Sequence, residues 1–126
     1  MLEYEVLDAC LKLLRDMFML KPGETIAITT DTMSSDEIVE ATAQAAVILG
    51  AKPLIFKIAA PEGAKAGDKD MPMKALIDGI KACDAWVEFN YKLIFYSTVY
   101  DKITEDPNNR PRYMNQNGVK WGIWNQ

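Results

Sequence analysis

The chain contains no histidine. That absence removes every Ser-His-Asp triad, every Cys-His pair and every imidazole-ligated metal centre from this polypeptide taken alone. Thiols are scarce as well. Two cysteines, Cys10 and Cys83, are too few for a cysteine-rich zinc site and too far apart for a CxxC motif. Both fall on apolar faces of predicted helices and read as reduced core residues. Positive charge is in short supply: 14 Lys and Arg stand against 18 Asp and Glu, a net charge of −4. No basic footprint for nucleic acid or an anionic membrane surface is present, so neither is expected as a partner. Long apolar runs are missing too. The stretch Ala45-Ala46-Val47-Ile48-Leu49 is among the longest, far short of the ~20 residues of a membrane span. The first residues, Met1-Leu2-Glu3-Tyr4-Glu5, lack the basic start of a signal peptide. A cytoplasmic location is therefore expected.

What remains is ordinary globular composition, with 49% hydrophobic and 25% charged residues in 126. One domain is implied, since single domains run to about 100–200 residues. Residues 3–19 read as a helix whose stripe is Val6, Cys10, Leu13, Met17 and Leu20, with Leu7, Leu11, Leu14 and Phe18 beside it. Lys21-Pro22-Gly23-Glu24 is a turn, and Thr25–Thr30 is a β-branched strand of central type. Ser34 with Glu37 fits a capping box opening a helix that runs to Leu49, with Gly50 as its stop. A second strand covers Pro53–Ala59, its proline fitting a strand start or an edge. Pro72 begins a helix that buries Met73, Leu76, Ile77, Ile80 and Cys83. Ala85–Phe89 is the third strand, and Ser97-Thr98 caps a short helix at about 98–105.

The alternation predicts a three-layer α/β/α, Rossmann-like domain with a mainly parallel sheet of about four strands. Its expected extent is residues 1–114, followed by a divergent tail at 115–126. In that tail Trp121, Ile123 and Trp124 form either a final edge strand or a surface that docks on a partner.

In open parallel sheets ligands bind beyond the carboxyl ends of the strands, where strand order reverses. The loop after the first strand carries Asp31, Thr32, Ser34 and Ser35 before a helix N-terminus, a place where hydroxyls and free N–H groups hold anions. It has no glycine, so neither a dinucleotide fingerprint nor a phosphate loop is present. Caps and turn formers are the other reading of those residues. Asn90, Tyr91, Tyr96, Ser97 and Thr98 put polar tips on an aromatic wall at the crevice mouth, as small-molecule sites do. Glu88 lies among apolar neighbours on the same strand face as Trp86, either at an exposed edge or held by a partner. Asp68, Lys69 and Asp70 read as a solvated loop without a role.

Several of these stretches resemble the N-terminal domain of the thermophilic metallo-aminopeptidase family, aminopeptidase T or leucyl-aminopeptidase-like. That superfamily also takes in 2,5-dihydroxypyridine 5,6-dioxygenase. The stretches are Lys21-Pro22-Gly23-Glu24-Thr25, Ile28-Thr29-Thr30-Asp31-Thr32, Val39-Glu40-Ala41-Thr42-Ala43, Gly50-Ala51-Lys52-Pro53, Ala82 to Asn90 and Tyr96-Ser97-Thr98. They run in order from about Tyr4 to Met114, and residues from Asn115 onward depart from the family's continuation. The resemblance implies a chain about three times as long, in which a C-terminal domain carries the divalent metal (zinc, cobalt or iron) on carboxylates and histidines. No catalytic or metal-binding residue carries over to this chain, and no cofactor is expected in it. What carries over is a wall of the substrate crevice, with Asp31, Thr32, Asn90, Tyr96, Ser97 and Thr98 as its expected substrate-binding residues. The expected partner is the C-terminal catalytic domain or further copies of the chain. The alternative is a stand-alone module that binds a small molecule or anion, or drives oligomerisation, without catalysis.

Overall fold

The structure, a computed structural model, describes residues 2–61, 68–90 and 97–115, with side chains from residue 5 onward. Helix α1 covers Leu2–Lys12 and widens into a single π-helical turn at Leu13–Met17. The strands are β1 Thr25–Asp31, β2 Lys52–Ile58, β3 Ala85–Glu88 and β4 Arg112–Asn115. The remaining helices are α2 Asp36–Ile48, α3 Met73–Lys81 and α4 Thr98–Thr104. All strand pairs are parallel and the sheet order is β2-β1-β3-β4. This is the expected α/β sheet of four strands between helical layers. The fourth strand lies at Arg112–Asn115, so it includes the first residue assigned to the tail. Trp121, Ile123 and Trp124 lie outside the described residues.

Alternation along the strands sorts the core into two clusters. Ile26, Ile28, Ala85, Val87 and Phe89 pack with α1 and α2, where Leu14, Val39 and Ala45 are buried. Ala27 and Trp86 face the other way, onto Leu76 and Ile80 of α3 and Val99 and Ile103 of α4. Both cysteines are buried and free. Burial pushes each thiol above its ordinary range, so both sit as neutral core groups.

The first helix departs from its predicted stripe. Phe18 N–H bonds to the Leu13 carbonyl at 3.1 Å, an i→i−5 step that adds a residue to the turn. Val6, Cys10, Leu13 and Leu20 of the predicted stripe are buried, with Leu14 and Phe18 from beside it, and Met17 alone is left out, 62% exposed. The capping residue differs as well. Ser35 Oγ accepts from Glu37 N–H and caps α2, whereas Ser34 turns towards β3. Gly50 does stop α2: it sits at φ +83°, and a Cβ there would lie 3.2 Å from Pro22 Cβ. As expected of its proline, β2 is an edge strand. Leu54 and Ile55 on it stay 48% and 40% exposed. Among the described residues, no helix is long and apolar enough to cross a membrane.

Candidate functional site

Strand order reverses between β1 and β3, because β2 lies to one side of β1 and β3 to the other. The crevice at their carboxyl ends is where a parallel sheet of this kind takes ligands. The β1–α2 loop is clamped across it. Thr32 N–H bonds to the Ile58 carbonyl at 3.0 Å and Thr32 Oγ1 accepts from Ala60 N–H at 3.1 Å, fixing the loop to the end of β2. On the other side Ser34 Oγ lies 2.7 Å from the Phe89 carbonyl oxygen and 3.1 Å from Asp31 Oδ1. Asp31 is fully buried and also accepts from Met33 N–H at 3.0 Å, an Asx-turn. Three strand ends are thus held in one geometry by one short loop.

On the α3/α4 face of the sheet lies a polar and aromatic cluster. Trp86 Nε1 donates to Thr29 Oγ1 at 2.9 Å, with both residues buried. The Tyr113 hydroxyl donates to Glu88 Oε1 at 2.7 Å. Burial first, then the adjacent Glu88 charge and hydrogen bond, push the Tyr113 phenol far above its ordinary range, so it stays a proton donor. The Trp86 and Tyr113 rings pack at 4.5 Å between centroids, with Tyr100 at 5.1 Å from Tyr113. Glu88 is therefore fully buried in an inner strand and held by a partner, the second of the two roles its position allowed.

The expected substrate-binding residues divide. Asp31 and Asn90 lie at the ends of adjacent strands, each two residues past the last β1–β3 pair, Thr29 opposite Glu88. Thr32 is exposed and ties the loop to Ala60. Ser97 caps α4, its Oγ accepting from Tyr100 N–H at 3.4 Å. Thr98 N–H donates to Asp68 Oδ1 at 3.2 Å, and its hydroxyl bonds the other carboxylate oxygen. Asp68 thus anchors the start of α4 rather than sitting in a solvated loop without a role. Tyr96 lies outside the described residues. Asn90 stands apart from the rest: it is fully buried, and neither side-chain amide atom has a hydrogen-bond partner. The sequence placed Asn90 at the crevice but carried no sign of this isolation, which depends on what surrounds it in three dimensions.

A second concavity, an open groove of about 420 Å³, lies between α4 and the start of β4, lined by Tyr100, Thr104, Arg110 and Tyr113 among others. It flanks the amino end of the edge strand, away from the reversal of strand order. Arg110 there is exposed, its Nη1 reaching the Thr104 carbonyl at 3.5 Å.

Among the described residues no donor set is assembled for the metal that the family resemblance implies for a C-terminal domain. There is no imidazole. The carboxylates nearest the crevice, Asp31 and Glu88, already accept hydrogen bonds from Met33 N–H and the Tyr113 hydroxyl. Among the described residues no group of three or more Cys, Asp or Glu side chains is placed to hold a metal ion. An anion finds little welcome at α2 either. Asp36 and Glu37 occupy its first turn and already answer the positive end of the helix dipole.

Fold and site define a parallel, three-layer α/β domain with a crevice at the β1/β3 reversal. The fold is similar to that of 2,5-dihydroxypyridine dioxygenase from Pseudomonas putida KT2440, with a TM-score of 0.62 at 19% identity. The likeness covers 72% of this chain and 29% of the dioxygenase, so it is a likeness to part of that protein. No family model matches the chain, and no curated protein sequence matches it. The dioxygenase side of the resemblance seen in the sequence thus reappears as a shared fold. The aminopeptidase side is not named by any of these comparisons.

Proposed function

We propose that this chain is the N-terminal, non-metal-binding domain of a metal-dependent enzyme, either an aminopeptidase-like hydrolase or a related ring-cleaving dioxygenase. It contributes one wall of the substrate crevice and an assembly surface, and it is inactive alone. The carrying observation is the fold shared with under a third of a dioxygenase, centred on a sheet whose reversal point is pre-set by the Ser34 and Thr32 clamps. The chemistry of hydrolysis or oxygen insertion belongs to a metal, which polarises a carbonyl, activates water or binds O₂. An imidazole-free chain supports that work by shaping and drying the crevice, with Asp31, Thr32, Asn90, Ser97 and Thr98 on or beside its wall.

The test is metal analysis of the purified chain together with turnover assays on aminoacyl anilides and on 2,5-dihydroxypyridine. Neither stoichiometric zinc, cobalt or iron nor turnover is expected. Turnover of either substrate by the chain alone overturns the reading.

A further inference from the structure

Buried polar groups in folded proteins are hydrogen-bonded almost without exception, and each exception calls for a reason. Among the described residues, the buried side-chain atoms without a partner are Thr30 Oγ1, Asn90 Nδ2 and Asn90 Oδ1. Thr30 is the penultimate residue of β1 and Asn90 follows β3 by two residues, so both lie at strand ends where the order reverses, but on opposite faces: alternation puts Thr30 with Ile26 and Ile28, and Asn90 with Trp86 and Glu88. The other buried polar side chains are engaged. Thr29 bonds Trp86, Asp31 bonds Met33 N–H, Thr42 bonds the Ile38 carbonyl, Glu88 bonds Tyr113 and Ser97 caps α4. A leucine would fill the place of Asn90 with no polar group to satisfy. A carboxamide kept there unbonded has its partners when something else is present.

The shape of the carboxamide limits what that is. Its carbonyl oxygen and one N–H point the same way along one edge, an acceptor beside a donor. A group with N–H and C=O side by side satisfies both at once. A carboxylate offers acceptors only, and a trans peptide bond presents its N–H and C=O on opposite sides.

We propose that Asn90 is the recognition group of the β1/β3 crevice, binding a small neutral molecule through a syn amide edge, a lactam or a primary carboxamide. The assignment rests on the reading of that crevice as a ligand site. The clamped β1–α2 loop holds the strand ends around it, and the aromatic cluster of Trp86 and Tyr113 packs on the same sheet face.

The experiment is an NMR titration of the full ¹⁵N-labelled chain, followed at the Asn90 side-chain NH₂ and the backbone amides of Asp31 and Phe89. The probe is 2-piperidone. N-methyl-2-piperidone, which lacks the donor, and N-methylacetamide, whose amide is trans, are the controls. Saturable movement of the Asn90 NH₂ is expected with 2-piperidone, and binding at least about tenfold weaker with each control, the worth of one hydrogen bond. In Asn90→Leu the response disappears while the melting temperature rises by several degrees, because an unbonded buried amide has been removed. Asn90→Ala, which fits wherever asparagine fits, loses the response even if the leucine variant does not fold. Equal binding of the N-methyl control, or a response kept in Asn90→Ala, overturns the assignment while leaving the crevice a ligand site. A lower melting temperature in a folded Asn90→Leu also overturns it, since the carboxamide is then bonded in the free chain. No movement of Asp31, Phe89 or Asn90 with any probe defeats the crevice itself.

Discussion

Single side chains carry the sharpest tests of this reading. Thr30 sits fully enclosed in β1 with an unbonded hydroxyl. Valine has the same shape without the polar atom. Thr30→Val is expected to stabilise the chain by about 1 kcal/mol in urea unfolding, through removal of an unsatisfied buried group. Tyr113 is the opposite case. Its hydroxyl serves a buried carboxylate at 2.7 Å, a charge-assisted bond whose loss leaves Glu88 one donor short. Tyr113→Phe is expected to cost about 1–3 kcal/mol by the same measurement. Two substitutions that each delete one hydroxyl thus move stability in opposite directions, and the difference is whether the hydroxyl has a partner.

At the scale of elements, the π-turn of the first helix has a visible cost. Met19 follows it at φ +52°, a left-handed conformation that side chains other than glycine rarely adopt. Leu20 N–H returns to the Leu14 carbonyl at 2.9 Å and so locks the turn. Met19 is 66% exposed and contributes little packing. Met19→Gly is expected to stabilise by about 0.5–1 kcal/mol, read from the shift of the denaturant midpoint. The same helix shows where sequence reasoning reaches its limit. Heptad-like spacing assumes 3.6 residues per turn throughout, so it put Met17 inside. One wider turn exchanges Met17 for Phe18 on the buried face, while Leu20 stays inside as expected. Elements framed by strong punctuation were legible. Pro22-Gly23, Gly50 and Pro72 bracket strands and helices that form where expected, and the alternation of Trp86 and Glu88 against Val87 and Phe89 holds. The choice of Ser35 over Ser34 as cap was not legible. Ser34 is drawn off by the Phe89 carbonyl, 55 positions away in the chain. Nor was the isolation of Asn90, since it concerns what a side chain fails to meet.

For the whole molecule, the amino end of the sheet is stapled from β4 across β3 to the start of β1. Arg112 at the start of β4 grips Glu24 before β1 in a forked pair, Nη2 to Oε1 at 2.8 Å and Nη1 to Oε2 at 3.3 Å. The guanidinium holds the Glu24 carboxyl below its ordinary 4.5. A carboxyl depressed in the fold stabilises above its unfolded value and loses that contribution as pH falls through the folded one. The pair is partly exposed, 44% for Arg112 and 22% for Glu24, so solvent screening limits it to about 0.2–1 kcal/mol. Arg112→Gln is expected to be less stable than the parent by that amount at pH 7. The gap should close as pH drops from about 5 to below the depressed value, and it should narrow at high salt. Thermal melts of both proteins across that range, at two ionic strengths, check it.

The outer rim of β2 has a consequence of another kind. A strand with one side unzipped and aliphatic groups in water is a template on which a foreign backbone can stack. Here Pro53 supplies no amide proton to such a visitor, and Lys52 and Lys57 bring charge to either end of the stretch. The polypeptide carries its own deterrent against fibril growth in three residues, and a variant that strips them for the sake of solubility elsewhere would disarm it.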